Sequence, residues 1–345
     1  MDQTEALIIE TIDRHREEIL EFARDIYSHA ELGYKEFQTS GKFVKKMEQL
    51  GLRTEKGFAI TGVKAYLNED KKENASLALL GELDALRIPE HAFANPETNA
   101  AHCCGHHAQM AGVFGAALAL TVPEIAEKLD GQVVFFATPA EEYGEIEFKN
   151  QLREQGKIRY GGGKCELLRI GAFDDIDLCL THHIRPGNEI LVGSGTGNGF
   201  VSKVIRVLGK ASHAAGAPEK GVNALSAASL GLQALGLNRE TFRDEDCVRV
   251  HPIITKGGNL VNVIPDEVVV ETLVRGKTIE AFTDAAKKTD RSFKAGAIAM
   301  GAKVEISTLP GYLPTLAEEA LPELKHAAEI SASGIPVIEA SGHAG

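Results

Sequence analysis

The sequence predicts an α/β protein in which a mixed-sheet domain flanked by helices carries a smaller, inserted ferredoxin-like (α+β) domain. Three observations predict this class. Apolar residues recur at helical spacing before residue 50, continuous apolar runs typical of buried strands follow, and residues 194–309 show the element order β-α-β-β-α-β. The length of 345 residues also exceeds what one compact core usually holds, which favours two domains.

Helices and strands alternate in the first part of the chain. Residues 4–50 carry apolar side chains at helical spacing, with a break at Glu31-Leu32-Gly33, and Gly51 is expected to cap the last of these helices. The charged stretch 145–164 contains three consecutive glycines near its end and predicts a mobile surface excursion. The remaining elements predicted here are strands at 60–67 and 76–83, a helix at 110–120, and buried strands at 132–137 and 176–180.

The glycine-rich segment 193–199 marks the boundary between the two predicted domains. This segment lacks the Lys-Ser/Thr pair of a phosphate-binding loop and precedes a strand, so we interpret it as a linker. We place one domain at 1–193 and 310–345, and the inserted domain at 194–309. The elements predicted after the linker are a strand at 200–208, a helix at 223–235, strands at 248–255 and 261–274, a helix at 279–300, a strand at 304–309, a helix at 316–330, and a strand at 335–339 that rejoins the first domain.

Composition excludes several classes of protein. A net charge of −12 argues against a nucleic-acid-binding or anionic-membrane-binding surface. No apolar run approaches the roughly 20 residues of a membrane-spanning helix, and residues 1–5 lack the basic start of a signal peptide. The five cysteines, two of them adjacent, favour metal ligands or core residues in a reducing compartment over disulfides. We therefore expect a cytoplasmic protein.

Thiol and imidazole side chains are concentrated between His102 and His107, just before a helix. These are the groups that bind borderline-soft divalent metals. Carboxylates and imidazoles also follow three apolar strands, at Asp84, at Glu141-Glu142 and at His182-His183. Because open α/β sheets place their sites at the carboxyl ends of strands, these groups predict one metal site.

The spacing of these residues indicates metal-assisted hydrolysis. Glu141 and Glu142 are adjacent, so one can bind a metal while the other acts as a general base. Asp84 can accept the second ring N–H of a ligating histidine. A structural zinc site at 102–107 is an alternative, but no second Cys/His cluster with the paired spacing of such sites is present. Chemistry alone does not separate His106 from His107, or His182 from His183.

The segment His102-Cys103-Cys104-Gly105-His106-His107 resembles the His-x-Cys-Gly-His-Asp motif of the two-metal amidohydrolases. This family comprises the aminoacylases, carboxypeptidase G, hippurate hydrolase, the indole-acetyl-amino-acid hydrolases and aminobenzoyl-glutamate hydrolase. The resemblance covers nearly the whole chain. Its other segments occur in the expected order: Glu31-Leu32-Gly33, Asp84-Ala85-Leu86, Pro139-Ala140-Glu141-Glu142, His183-Ile184-Arg185-Pro186, Gly209-Lys210-Ala211-Ser212-His213, Gly257-Gly258-Asn259, Asn262-Val263-Ile264-Pro265 and Arg275.

The resemblance implies a role for each residue of the metal site. Cys104 would bridge two divalent metal ions, and His106, Glu142 and His183 would be further ligands. Glu141 would be the general base and would later protonate the leaving amine. The ions would be Zn or Mn, with Co or Ni also compatible with sulfur, nitrogen and oxygen ligands.

The resemblance also implies roles outside the metal ligands. Asp84 would not bind metal itself but would contact the residues that do. The inserted domain would be a dimerisation lid, from which His213 would reach the active site of the partner in a homodimer and stabilise the oxyanion. Asn262 and Arg275 would bind the free carboxylate of the substrate, with Arg275 as a bidentate clamp.

Two departures from the family pattern concern the metal site. His107 stands where the family has Asp, which alters the local charge or adds an imidazole. The last ligand of the family is a histidine near the C-terminus, and this chain is expected to end, at residues 341–345, short of it. His343 is either a substitute ligand or part of a disordered glycine-rich end.

The sequence therefore predicts a metal-dependent amidohydrolase. It would cleave the amide bond of N-acyl or N-aroyl amino acids or small peptides, by attack of metal-activated water with a Glu general base. Its expected partners are a small-molecule substrate and a second copy of the chain, without nucleic acid or membrane. The alternatives are a non-catalytic or impaired metal-binding homologue of the same fold, and a structural zinc protein.

Overall fold

The computed structural model describes residues 1–344. The first helix begins after Asp2, whose carboxylate accepts the N–H groups of Thr4 and Glu5 at 2.7 and 2.8 Å. The α-helices of the described residues are α1 Gln3–Arg14, α2 Arg16–Ser28, α3 Phe37–Gln49, α4 His106–Leu120, α5 Pro123–Ala126, α6 Ile146–Glu154, α7 Gly163–Arg169, α8 Ala224–Asn238, α9 Ile279–Met300 and α10 Pro322–Ser331.

The strands form two larger sheets and three short pairs. In chain order, the strands of the described residues are β1 Arg53–Phe58, β2 Gly62–Leu67, β3 Ser76–Glu82, β4 Leu86–Arg87, β5 Ala100–Ala101, β6 Gln132–Thr138, β7 Leu178–Thr181, β8 Ile190–Val192, β9 Thr196–Gly197, β10 Gly199–Leu208, β11 Arg249–Lys256, β12 Glu267–Gly276, β13 Lys303–Pro310, β14 Val337–Glu339 and β15 His343–Ala344.

The chain divides into two compact units. The first unit comprises Met1–Gly144, Gly162–Asn188 and Glu329–Ile335. The second comprises Glu145–Gly161, Glu189–Ala328 and Pro336–Gly345. This division differs in detail from domains at 1–193 with 310–345 and at 194–309, because it assigns residues 145–161 and most of the C-terminal part to the second unit. The domain boundaries from sequence stay a prediction.

The first unit contains a mixed five-stranded sheet in the order β1-β2-β6-β3-β7. Strands β6, β3 and β7 are parallel, and β1 and β2 are antiparallel to their neighbours. Helix α4 packs on this sheet and against α2, where Phe114 and Phe22 meet edge to face at a centroid distance of 5.1 Å. The carboxyl ends of the three parallel strands therefore lie at one edge of the sheet.

Two predictions for this part of the chain are wrong. Residues 176–180 were expected to form a buried strand, but β7 is an edge strand and Leu178 is 61% exposed. The stretch 145–164 is not only a surface excursion, because α6 forms within it and buries Ile146 and Leu152. Both errors have one cause. The hydrophobicity of a short segment does not predict whether other elements will pack on it and bury it.

The second unit contains an antiparallel four-stranded sheet in the order β11-β12-β10-β13. Helices α8 and α9 cover one face through a shared core that includes Ala227, Phe293 and Val270. With the connection β10-α8-β11-β12-α9-β13, this is the predicted ferredoxin-like arrangement. Together with the mixed sheet of the first unit, it confirms the predicted fold class.

The C-terminal part pairs with the start of the second unit. Strand β14 runs parallel to β8, and β15 runs parallel to β9. The strand predicted at 335–339 thus exists, but both it and β8 belong to the second unit rather than rejoining the first. None of the helices in residues 1–344 has the length and apolar composition needed to cross a membrane.

Candidate active site

Side chains from four segments of the first unit meet at the carboxyl edge of its sheet. Asp84 follows β3, Glu141 and Glu142 follow β6, and His183 follows β7, while His106 is the first residue of α4. Parallel strands bring these ends together although they are far apart in sequence. The expected site location follows directly from the sheet topology.

The four predicted metal ligands lie together at this edge. The ligand atoms of Cys104, His106 and His183 are all within 4.8 Å of one another. The Cys104 Sγ atom is 3.3 Å from the His183 Nε2 atom, and the thiol also makes a hydrogen bond with Glu142. One thiol, two imidazoles and a carboxylate in contact are a donor set suited to a divalent metal.

In His106 and His183, the ring is oriented so that Nε2 is the nitrogen available to bind a metal ion. His183 Nδ1 is 2.7 Å from the Ile184 carbonyl oxygen, and His106 Nδ1 is 2.8 Å from the Asp84 carbonyl oxygen. Because a carbonyl oxygen only accepts, Nδ1 carries the hydrogen in each ring, and the neutral ring has its lone pair on Nε2. This is the tautomer that a metal-binding histidine needs.

The start of α4 depends on a glycine. Gly105 precedes the helix with a φ of +86°, a left-handed conformation that side chains other than glycine rarely adopt. A Cβ atom there would also lie 2.9 Å from Ile184. Gly105 therefore lets the chain turn sharply between Cys104 and His106, so that both side chains reach the same point.

Asp84 is fully buried and holds the two glutamates in place. Its carboxylate accepts the backbone N–H of Glu141 at 3.1 Å and of Glu142 at 2.9 Å. Its Oδ1 atom is also 3.4 Å from His106 Nδ1. The expected contact between Asp84 and a histidine thus forms mainly through the Asp84 carbonyl, while the carboxylate positions the Glu141-Glu142 backbone.

The Glu31-Leu32-Gly33 segment supports the same region. The Glu31 carboxylate caps α3 by accepting the N–H groups of Gln38 and Thr39 at 3.1 and 2.8 Å. The Glu31 carbonyl accepts the Ala85 N–H at 2.8 Å. A Cβ atom on Gly33 would come within 3.3 Å of the Asp84 carboxylate. This segment therefore fixes the loop that carries Asp84.

Glu82 and Lys164 are site residues that sequence reasoning missed. Glu82 is 3% exposed, its Oε2 atom is 3.1 Å from His106 Nε2, and its carboxylate pairs with the Lys164 ammonium group. Glu82, His106 and Glu141 form a second group whose ligand atoms lie within 4.8 Å of one another. The available signal for Glu82 was its position two residues before Asp84, on the same side of the strand end.

Lys164 reaches the site because of the glycine before it. A Cβ atom on Gly163 would lie 1.7 Å from the Pro139 carbonyl oxygen, and the Gly163 N–H donates to the Ala140 carbonyl at 2.9 Å. Only glycine allows this close approach of two backbones. Helix α7 therefore starts against the segment that leads to Glu141, with Lys164 directed at Glu82.

The metal-free site holds unusual protonation states. Burial and the nearby Glu82 charge raise the pKa of Glu141 to about 7. Burial alone would lower the pKa of His106, but its contacts with Asp84 and Glu82 outweigh burial and raise it to about 11. Burial and the contact with Glu142 raise the pKa of the Cys104 thiol to about 12. The carboxylates of Glu82, Glu141 and Glu142 thus surround a point to which His106 and Lys164 bring positive charge.

His102 and His107 lie behind the site. His102 is buried, and neither of its ring nitrogens has a hydrogen-bond partner within the described part of the chain. Burial and the charges of His107 and His106 lower the pKa of His102 to about 3, so its ring is neutral. The His107 ring packs against the Tyr27 ring at a centroid distance of 4.8 Å and an angle of 56° between the ring planes. The change from Asp to His107 thus supplies a packed ring beside the metal-type cluster.

Gln109 ties three parts of the site together from α4. Its side-chain oxygen accepts the Glu82 N–H at 2.8 Å, and its side-chain nitrogen donates to Thr181 Oγ1 at 3.1 Å and to the His182 carbonyl. Gln109 is 1% exposed. It therefore sets the distance between the ends of β3 and β7.

We expect Gln109→Leu to destabilise the fold. Leucine leaves the Glu82 N–H and the His182 carbonyl buried without partners, at about 1–3 kcal/mol for each group. The urea midpoint from far-UV circular dichroism should fall clearly, while the same change at the exposed Gln49 should leave it nearly unaltered. Equal midpoints for the two variants would contradict this role for Gln109.

Comparisons with known proteins agree with this geometry. Residues 197–298 match the peptidase dimerisation domain of the M20 family. A Xaa-Arg dipeptidase of Mus musculus is 29% identical over 306 residues, which are 87% of this chain and 64% of that protein. An IAA-amino acid hydrolase of Arabidopsis thaliana is 30% identical over 272 residues, which are 77% of this chain and 56% of that protein.

A crystal structure of a dinuclear metal binding peptidase from the M20 family of Bacillus subtilis has the same fold. Its TM-score is 0.59 at 23% identity, with 96% of this chain and 84% of that chain covered. Residues 197–298 thus match an M20 domain, and the chain shares its fold with an M20 peptidase. This confirms the predicted resemblance. The chain spans 56% to 64% of the length of the two curated relatives above.

The second unit of this protein holds the remaining predicted residues. His213 and Asn262 are neighbours. Val263 forms an antiparallel β-bridge with His213, and the Asn262 carbonyl accepts the Ala214 N–H at 2.9 Å. Arg275 lies near the other end of β12, about 25 Å along the strand from Glu267. Within one chain, strand β12 therefore separates Asn262 from Arg275, and their roles in substrate binding stay a prediction.

His343 is engaged within the second unit. Its Nδ1 atom is 2.9 Å from Thr196 Oγ1 and its Nε2 atom is 3.1 Å from Asn198 Oδ1. Both ring nitrogens are used there, and His343 is not among the candidate ligand groups found in residues 1–344. His343 thus fits neither the substitute-ligand role nor the disordered end.

The donor set of the candidate site fits divalent metal ions. Within residues 1–344, the buried atoms His106 Nε2 and Glu82 Oε2 face each other without an aligned hydrogen bond. Cys104 offers sulfur, and His106 and His183 each present Nε2. A cation at this point would also offset the negative charge of Glu82, Glu141 and Glu142.

We expect metal binding to release about two protons at pH 7. In the metal-free protein, Cys104 with a pKa of about 12 and His106 with a pKa of about 11 are both protonated at pH 7, but both must lose the proton to bind metal. Apparent affinity should therefore rise with pH. Titration calorimetry in buffers of different ionisation enthalpy measures the release, and heats independent of the buffer would contradict it.

Proposed function

We propose that this protein is a metal-dependent amidohydrolase of the M20 type that cleaves the amide bond of N-acyl or N-aroyl amino acids or small peptides. The observation that carries this proposal is the Cys104, His106 and His183 cluster beside Glu141, a half-buried carboxyl group with a pKa of about 7. The names of two relatives, a Xaa-Arg dipeptidase and an IAA-amino acid hydrolase, agree with such a substrate class.

Cys104, His106, Glu142 and His183 would hold two divalent metal ions. Zn or Mn fits this mixed donor set, and Co or Ni is also compatible. When bound, such ions polarise a carbonyl group and make water more acidic. Glu82 adds a further carboxylate beside His106, where it can orient the ring or take a place among the ligands.

Glu141 would transfer the proton. Its carboxylate takes the proton from the attacking water and returns it to the leaving amine. A general base is most efficient when its pKa lies near the working pH, and burial gives Glu141 that property. Asp84 positions Glu141 and Glu142 through their backbone N–H groups, so the base and the ligand keep a fixed separation.

Residues of the second unit would complete the site in a homodimer. The His213 Nδ1 atom accepts the N–H groups of Ala215 and Gly216 at 3.2 and 3.0 Å, so Nε2 carries the hydrogen and can donate to an oxyanion. Asn262 lies next to His213, and we infer that the same subunit contributes both. Arg275 would bind the substrate carboxylate separately.

Metal content and turnover test the proposal together. Protein purified without a His-tag is analysed by elemental mass spectrometry and then assayed with N-acetyl amino acids, N-benzoyl amino acids and dipeptides. About two metals per chain, with turnover that chelation abolishes and added metal restores, supports the proposal. One metal or none without turnover overturns it. Unfolding on chelation of a single zinc would instead indicate a structural zinc protein.

A further inference from the structure

The turn that joins β6 to the two glutamates contains a residue in an uncommon conformation. Ala140 has a φ of +48°, in the left-handed region that residues with a side chain rarely adopt. It is fully buried and directly precedes Glu141. A conformation of this kind persists only where the surrounding structure holds it. The contacts of Ala140 therefore determine how the chain enters the Glu141-Glu142 pair.

A buried carboxyl group holds the backbone of Ala140. Glu36, immediately before α3, accepts the Ala140 N–H with Oε1 at 2.8 Å and the Thr61 hydroxyl hydrogen with Oε2 at 2.6 Å. Its side chain is fully buried. Ala140 is also enclosed elsewhere, because its carbonyl accepts the Gly163 N–H at 2.9 Å and a Cβ atom on Gly33 would lie 3.1 Å from it. Loss of the Glu36 oxygen would thus leave a buried N–H group without its acceptor.

Two buried carboxyl groups share three consecutive N–H groups. Glu36 accepts the first, from Ala140. Asp84 accepts the next two, from the glutamates at 141 and 142. Successive N–H groups in a turn form a concave site that favours negative charge, and here two side chains of the same unit occupy it. Asp84 thus fixes where the glutamates lie, while Glu36 holds the residue whose conformation sets their direction.

Hydrogen bonding, rather than charge, is the property of Glu36 on which this turn depends. Burial and the Asp84 charge raise the pKa of Glu36 to about 7, so the group is neutral for part of the time near pH 7. A neutral carboxyl group still accepts an N–H through its carbonyl oxygen. The reach of the side chain to the Ala140 backbone is therefore what a test has to remove.

We propose that Glu36 is a positioning residue for Glu141. Its hydrogen bond keeps Ala140 in the left-handed conformation, and this conformation directs the Glu141 carboxylate to the candidate metal cluster, where Oε2 is 4.0 Å from His106 Nε2. Glu36 acts through the backbone and does not contact substrate. This inference rests on the proposed amidohydrolase function, from which it takes the role of Glu141 as the base.

The test separates the reach of the Glu36 side chain from its charge. Glu36→Gln keeps the length and an oxygen that accepts the Ala140 N–H, whereas Glu36→Asp keeps the charge but is shorter by one methylene group. The full chain, loaded with metal, is assayed with an N-acyl amino acid that the parent hydrolyses. Glu36→Asp should lower kcat by about 10- to 100-fold with KM within about twofold, because a small misplacement of a base is costly. Glu36→Gln should keep kcat within about threefold of the parent.

A second background distinguishes positioning from lost stability. Loss of folded protein lowers kcat by the same factor in any background, but a residue that acts through Glu141 has little further effect once Glu141→Gln has removed the base. Glu36→Asp should therefore change the residual kcat of Glu141→Gln by less than about twofold. Ser40→Ala is the matched control, because the Ser40 hydroxyl joins α3 to the Thr61 carbonyl at 2.7 Å. It should lower the urea midpoint and keep the parental kcat.

A glycine at position 140 keeps the test decisive if Glu36→Asp is unstable. Glycine adopts a positive φ without steric cost, so Ala140→Gly added to Glu36→Asp should raise the urea midpoint, and kcat by about 3- to 10-fold. Parental kcat in Glu36→Asp, an equal loss in Glu36→Gln, an equal loss in the Glu141→Gln background or no recovery with Ala140→Gly would each overturn the inference and leave the amidohydrolase function standing. A metal-loaded parent without turnover would overturn the proposed function and, with it, the role of Glu36.

Discussion

Glu141→Gln is expected to lower kcat by about 10²- to 10⁴-fold, the usual contribution of a general base. Glutamine keeps the size of the side chain and its hydrogen-bonding oxygen but cannot take a proton from water. Asp84 binds the backbone N–H of residue 141, not its side chain, so the local geometry should survive the change. The measurement is steady-state hydrolysis of an N-acyl amino acid that the parent protein turns over.

Metal content distinguishes a lost base from a lost ligand. Glu141→Gln should retain about two metals per chain, as the binuclear donor set implies. Glu142→Gln should lose metal, because Glu142 contacts the Cys104 thiol. The exposed Glu124→Gln is the matched control and should keep parental turnover. Full turnover by Glu141→Gln would show that another group is the base.

The pH profile gives a second measure of the same residue. Burial raises the pKa of Glu141 to about 7 in the metal-free site, and a bound cation would lower it from there. A base acts only when deprotonated, so kcat/KM should fall as the pH drops through and below this region. The remaining activity of Glu141→Gln should not show this acidic limb.

The sequence predicted the position of the site better than its full membership. Residues that follow apolar strands, such as Asp84 and Glu142, predict a site at the strand ends, because the carboxyl ends of parallel strands lie together at one edge of the sheet. Lys164 gave no such signal, since it lies in a charged stretch and reaches Glu82 only because Gly163 packs on the Pro139 backbone. Such a contact depends on a three-dimensional approach that no local pattern encodes.

The same limit explains the errors in the fold and leaves the substrate residues a prediction. Asn262 and Arg275 are close in sequence and share a predicted role, but strand β12 separates them. Arg249 lies further away in sequence, yet the register of β11 and β12 places it directly opposite Arg275. Sequence spacing predicts strands well, while register, which decides the neighbours, depends on the whole sheet.

The adjacent residues Cys103 and Cys104 allow a sharp test of the metal centre, because they lie in the same loop but their side chains point to different places. Cys104 lies among the ligands, with its sulfur 3.3 Å from His183 Nε2, whereas Cys103 is exposed. We expect Cys104→Ala to abolish tight binding of at least one metal and to remove turnover, since Cys104 would supply the thiolate ligand of the proposed metal site. Cys103→Ala should bind metal and turn over substrate like the parent.

The comparison of the two variants also excludes trivial causes of inactivity. Both remove one thiol from the same loop, so oxidation or altered loop stability would affect them similarly. Titration with a chromophoric chelator measures how tightly each variant holds its metals. Equal metal affinity in the two variants would mean that Cys104 is a partly buried thiol that does not bind metal. In that case His106, His183 and the carboxylates would have to hold the ions without sulfur, which favours harder metals such as Mn over Zn.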